Sequence, residues 1–227
     1  MRNIKFREAT GALARWRGHH FWCNVSSTRR VRAFIQIILL GFALQGVAAE
    51  PSHLLFRVRQ ATDVSGRVHQ LGERQGVKAI VLVFLGPECP ISQRYVPELN
   101  RLAADQGTNA VEFYGMISSP SMARTQAMAF ASEYAIKFPV LFDDAGRLAR
   151  WLRPTHVPEA FVLKRDGDVV YHGRIDDGYE SLGKPRAVVR NRELRDAVSA
   201  VLSGKPPRKT FARPVGCYFE DWPQVKE

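Results

Sequence analysis

Apolar side chains in this chain fall into short groups, and the spacing within each group predicts an element. Residues 79–84, Ala-Ile-Val-Leu-Val-Phe, are apolar without interruption, the pattern of a strand covered on both faces of a sheet. Gly86-Pro87 ends it. Ile91, Tyr95, Leu99 and Leu102 follow at spacings of four, four and three, which puts one apolar stripe on a helix beginning just after Cys89. Residues 111–117 read as a second buried strand. Ser119-Pro120 then opens a helix whose Ala127, Phe130, Ala131 and Tyr134 share a face. Pro139 stops that helix before another short strand, and a brief helix follows at 148–152. Residues 160–163 and 169–171 flank Arg165-Asp166-Gly167-Asp168, a hairpin signal, and Ser65-Gly66 marks an earlier hairpin. A last helix, capped by Asn191, carries Leu194, Ala197, Val198, Val201 and Leu202 on one side, with Gly204 beyond its end.

Alternating helix and strand signals without an internal repeat predict an α/β layer fold. Its single domain is expected over residues 50–204, since 227 residues with 45% apolar side chains can bury one substantial core. Residues 205–227 contain Pro206, Pro207 and Pro214, so this tail is not helical.

The formal charge of +11 changes meaning once it is located. Residues 1–49 hold eight Lys or Arg against the single acid Glu8, which leaves only +4 on the remainder. With no basic stripe interleaved with aromatics, nucleic acid is excluded as a partner. The basic stretch ending Arg29, Arg30 and Arg32 runs into an apolar run from Ala33 to Val47, and Val47-Ala48-Ala49 offers small residues for cleavage. This reads as a signal peptide or presequence over residues 1–49, and the run is shorter than the roughly 20 residues of a stable span. Export to a periplasmic or other extracytoplasmic compartment is therefore expected. Contact with the membrane would come only through an uncleaved signal.

Export also sorts the cysteines. Cys23 leaves with the presequence, so the mature chain keeps Cys89 and Cys217 in a compartment where disulfides persist. Cys89 stands at a helix start, where backbone N–H groups and the helix dipole favour its thiolate and make it a nucleophile. Glu88 beside it opposes that effect.

Cys89-Pro90-Ile91-Ser92, between a buried strand and a helix, with Pro97 eight residues after the cysteine and Val157-Pro158-Glu159-Ala160-Phe161 downstream, resembles the thioredoxin superfamily. Over residues 56–202 the likeness is to exported redoxins of the AhpC/TSA and cytochrome-c-maturation type. The resemblance implies a central mixed β-sheet flanked by helices, with a strand–helix insertion that the 69 residues from Cys89 to Pro158 accommodate. It further implies a cis-proline at Pro158 whose loop, with Val157 and Glu159, shapes a substrate groove opposite the thiol. The segment Arg174-Ile175-Asp176-Asp177 and the Gly216-Cys217 tail also look like features of such redoxins.

Two departures shape the expected chemistry. Ser92 stands in place of the second motif cysteine, so no local disulfide forms; Ser92 either hydrogen-bonds the thiolate or is simply a small first-turn residue. The peroxiredoxin signature is unmet, because Gly86 and Leu82 stand where it has Thr or Ser and Pro. The leading expectation is a thiol-disulfide oxidoreductase with Cys89 as nucleophile, acting on protein or small-molecule disulfides, recycled by an external thiol and needing no bound cofactor. A thiol peroxidase acting on peroxide is the enzymatic alternative. A non-catalytic binding module that keeps the groove is the other. Cys217 is the only thiol left to resolve Cys89, provided the tail folds back with Phe211 or Tyr218 as an apolar latch; pairing between chains, or a packed free thiol, stays open. Glu159 is either a proton shuttle for the thiol or a surface-loop carboxylate. His156 and Cys89 alone fall short of a metal site, and Asp176-Asp177, adjacent on an extended segment, point oppositely.

Overall fold

The computed structural model describes residues 60–105 and 110–220. The apolar run at 33–47 and the cleavage position after Ala49 lie outside them. No helix among the described residues is long and apolar enough to cross a membrane.

β1 (Gln60–Thr62) and β2 (Val68–Gln70) form the hairpin at Ser65-Gly66. Asp63 closes it by accepting the Ser65 and Arg67 amides at 2.9 and 3.0 Å. Then come β3 (Ala79–Phe84), α1 (Pro90–Asp105), β4 (Val111–Ile117), α2 (Arg124–Glu133), β5 (Val140–Phe142) and α3 (Arg147–Leu152). The second half contains β6 (His156–Val157), β7 (Glu159–Lys164), β8 (Val169–Gly173), β9 (Tyr179–Ser181), β10 (Lys184–Pro185), α4 (Glu193–Leu202), β11 (Phe211–Ala212) and β12 (Cys217–Tyr218).

Six strands form the central mixed sheet in the order β11-β8-β7-β3-β4-β5. β3 lies inside it, parallel to β4 and antiparallel to β7. All six β3 residues are buried, which is why its sequence is apolar on both alternations. β5 and α3 are the strand–helix insertion, with β5 added parallel to β4 at one edge. The expected α1 stripe of Ile91, Tyr95, Leu99 and Leu102 is buried, together with Ser92 and Val96.

Two helix starts differ from the sequence reading. α2 begins at Arg124 rather than at Ser119-Pro120. Gln126 accepts the Ala123 amide at 2.8 Å, while the Ser119 and Ser121 hydroxyls donate to Glu220 in the tail. Asn191 does not cap α4, which starts after Arg192. Its side chain instead donates to Asp177 at 2.7 Å. In both cases a remote acceptor captured a polar side chain that would otherwise serve as a local cap.

The tail is part of the fold. β11 pairs in parallel with β8, extending the sheet by one strand. Gly173 permits that approach: its φ is +132°, and a Cβ there would lie 1.9 Å from the Ala212 carbonyl oxygen. The chain then turns back, and β12 pairs antiparallel with β6, Cys217 opposite Val157 and Tyr218 opposite His156. Gly216 makes this second contact possible, because a Cβ on it would lie 2.0 Å from the Val157 carbonyl oxygen.

Candidate active site

Cys89 sits in the turn between β3 and α1, its amide donating to Gly86 at 3.0 Å and its carbonyl accepting the first helical bond from Gln93 at 3.1 Å. Pro90 fills the first helical position, where the missing N–H costs nothing. The amides of Ile91 and Ser92 therefore have no helical acceptor and are free to favour the Cys89 thiolate. Ser92 is fully buried, and its hydroxyl accepts the Gly86 amide at 3.1 Å. It thus braces the turn through its side chain and supports the sulfur through its backbone.

The loop before β7 forms the opposite wall. The Val157–Pro158 bond is cis. The protonated Cys89 thiol donates to the Val157 carbonyl at 3.1 Å, and Gly86 leaves room for the Val157 side chain, whose Cγ2 would lie 2.7 Å from a Cβ at that position.

β12 brings Cys217 opposite Val157, the residue whose carbonyl accepts from the Cys89 thiol, so the two cysteines lie side by side at this loop. Both cysteines are free thiols, Cys89 only 2% exposed and Cys217 partly exposed. Burial alone would push the Cys89 thiol up; hydrogen bonds from the Cys217 thiol and from the Ser92, Cys217 and Ile91 amides outweigh it and hold Cys89 below the ordinary thiol range. Burial, together with the hydrogen bond to Cys89 and its charge, pushes Cys217 up to about 11. Of the two thiols, Cys89 is therefore the first to lose its proton as pH rises. Alkylation followed residue by residue is expected to give a Cys89 midpoint below the usual value of about 8.5 and a Cys217 midpoint near 11. A reversed order would mean that burial outweighs the donors around Cys89.

The expected latch residues are corrected. Phe211 is 51% and Tyr218 86% exposed. Phe219 takes that part, its ring meeting Phe84 edge-on at 5.7 Å, while its amide donates to the Thr155 carbonyl at 3.0 Å. His156 lies under Tyr218, ring centroids 5.1 Å apart. Glu159 is buried rather than on a surface loop. Its Oε2 accepts from the Thr155 amide and hydroxyl at 2.7 and 3.0 Å and from the His156 amide at 3.3 Å, and Oε1 faces His172 Nδ1 at 3.3 Å. It clamps the groove loop.

Residues 56–172 match the AhpC/TSA family, just over half of the chain. The chain belongs to the AhpC/TSA family. Among curated relatives, the thiol-disulfide oxidoreductase ResA of Bacillus thuringiensis is 26% identical over 109 residues, 48% of this chain and 61% of that protein; ResA of Bacillus anthracis matches equally. The chain thus spans about three fifths of the length of these relatives. Among solved structures, an uncharacterized conserved protein from Geobacillus kaustophilus superposes with a TM-score of 0.63 at 27% identity, covering 73% of this chain and 89% of that one. A hypothetical protein from Sinorhizobium meliloti 1021 gives 0.61 at 27% identity, covering 70% and 88%. The fold is thioredoxin-like.

For an AhpC/TSA protein, the segment Arg174-Ile175-Asp176-Asp177 proves to be a tie between elements. Arg174 pairs with the buried Glu193 of α4, and Asp176 accepts from Tyr95 of α1. Asp177 accepts the Arg190 and Asn191 amides at 2.8 and 3.0 Å. Phe219 and Thr155 are the site residues that sequence reasoning missed, and Gly216 was noted without its close approach to Val157.

Proposed function

We propose that this protein is an exported thiol-disulfide oxidoreductase in which Cys89 attacks and Cys217 resolves. The convergence of both cysteines on Val157 carries the reading: Cys217 pairs opposite it on β12, and the Cys89 thiol donates to its carbonyl at 3.1 Å. The Cys89 thiolate attacks one sulfur of a substrate disulfide, forming a mixed disulfide and expelling the other sulfur as a thiolate that takes up a proton. Cys217, losing its proton, then attacks Cys89 Sγ and releases the second substrate thiol. The substrate is reduced to two thiols and the protein is oxidised to a Cys89–Cys217 disulfide, which an external thiol reductant reopens.

The shared proton orders these steps. While Cys89 is a thiolate, its charge keeps Cys217 protonated. Once Cys89 is a neutral mixed disulfide that charge is gone, and Cys217 deprotonates more readily. Gly86 speaks against the peroxidase alternative, because the position of the peroxiredoxin hydroxyl has no room for a side chain. Export rests on the basic and apolar pattern of residues 1–49. Non-reducing peptide mapping of the oxidised protein is expected to yield one Cys89–Cys217 peptide. A stable Cys89 sulfenate with Cys217 still a thiol would end this reading.

A further inference from the structure

Residues 180–188 are exposed one after another, the longest such run among the described residues. They form most of the β9–β10 hairpin, a two-stranded sheet apart from the central one, and the base of this hairpin is firmly held. Asp176 and Asp177, both buried, tie its two ends: Asp176 accepts the Gly178 amide at 2.8 Å, and Asp177 accepts the Arg190 and Asn191 amides. The Arg186 amide closes on the Gly178 carbonyl at 2.7 Å, and Tyr179 packs on Tyr95 of α1 with ring centroids 5.8 Å apart. Buried carboxylates that accept backbone donors fix the chain that supplies them. The hairpin is therefore a rigid projection.

Its tip carries what neither the turn nor the core requires. Ser181 pairs with Lys184, so Leu182-Gly183 is the turn. Gly183 takes the left-handed angle, φ +76°, and a Cβ on it would meet nothing within 4 Å, so the tip stands clear of the rest of the chain. Leu182 is 62% and Val188 67% exposed, where polar residues would serve an exposed turn as well. Beside them Lys184, Arg186 and Arg190 stand against the one acid Glu180, a charge of +2 over residues 179–190. We propose that the β9–β10 hairpin is a docking arm for an anionic lipid surface, with Leu182 entering the headgroup layer and the flanking cations meeting lipid phosphates.

Shape and charge select that occupant. A stable protein partner needs about 800 Å² on each side, and a two-stranded tip ending in a leucine offers no such face. A bilayer closes around a projecting side chain. A second copy of the hairpin would bring like charge against like charge. An apolar tip with Lys and Arg beside it has the composition of segments that lie in the membrane interface, and each cation near an anionic surface adds an attraction that salt screens. The contact is separate from residues 1–49 and from the thiol chemistry.

The test reads the tip itself, so residues 1–49 stay in place. In the full chain, Leu182→Trp adds an emission that is isolated by subtracting the wild-type spectrum. On vesicles of phosphatidylglycerol with brominated phosphatidylcholine this emission should shift to the blue and lose roughly half of its intensity. On brominated phosphatidylcholine alone it should stay unchanged. Adding Lys184→Gln and Arg190→Gln should raise the lipid concentration needed for half of the effect roughly 30-fold. Val188→Trp is the second reporter should the first disturb the turn. An added tryptophan as exposed to water on phosphatidylglycerol vesicles as in buffer, quenching that is equal with and without phosphatidylglycerol, or quenching that survives loss of the two cations overturns the proposal. A response to soluble polyglutamate but not to vesicles would assign the arm to an acidic protein and overturn it as well.

Discussion

Cys89→Ser is expected to abolish disulfide turnover while leaving the fold as stable as before. A hydroxyl at this position cannot form a bond to sulfur that a second thiol then resolves, so the whole path is lost. The fall should be on the order of 10⁶, the scale on which enzymes lose rate with their nucleophile. The replacement changes one atom at the residue preceding α1, and serine is itself a favoured residue at a helix N-terminus. Thermal unfolding should therefore be unchanged or slightly later. Cys217→Ser separates the two roles: it should release one equivalent of leaving thiol in a burst and stop as a mixed disulfide on Cys89. Turnover surviving in Cys89→Ser would move the chemistry to another residue.

Glu159→Ala should cost about 2–3 kcal/mol of stability, a large effect for one side chain. The carboxylate is 1% exposed and accepts from two backbone amides and one hydroxyl, all in the loop that leads to Val157 and Pro158. Alanine leaves those donors, on the exposed Thr155 and half-buried His156, to water and removes the partner of His172. Glu159→Gln keeps the shape and one acceptor oxygen and should recover roughly half of the loss. Urea unfolding of the three proteins checks the order. A cost below about 1 kcal/mol for Glu159→Ala would mean that the tail strand, not Glu159, holds the groove loop.

The parts of this fold that were legible in the sequence are those fixed by burial. Residues 79–84 had to be a central strand because both faces are covered, and the stripe on α1 had to face inward. Cys89 at the head of that helix was equally legible, since a local turn and a local helix place it. What the sequence hid was decided by distant partners. Ser119 and Asn191 have the chemistry of helix caps, and only the folded chain shows that Glu220 and Asp177 take them. Gly216 has no special backbone angle to announce it; its role is a close approach to Val157, visible only once β12 is docked. Glu159 is buried and not on a surface loop, a placement hidden in the sequence because a carboxylate beside a cis-proline looks the same there whether it faces solvent or holds a loop.

β11 has a consequence for how the protein behaves in concentrated solution. β8 has β7 on one side, and only the two residues of β11 cover the other. Without them β8 would present a row of unpaired amides and carbonyls flanked by Val169, already 42% exposed, and open edges of this kind recruit strands from other copies. The tail is thus a guard against self-association as well as the carrier of a thiol. A chain cut before Phe211 would lose colloidal stability and redox function together, and its inactivity would say nothing about Cys217. Point substitutions in β12, which leave β11 seated, keep the two properties apart.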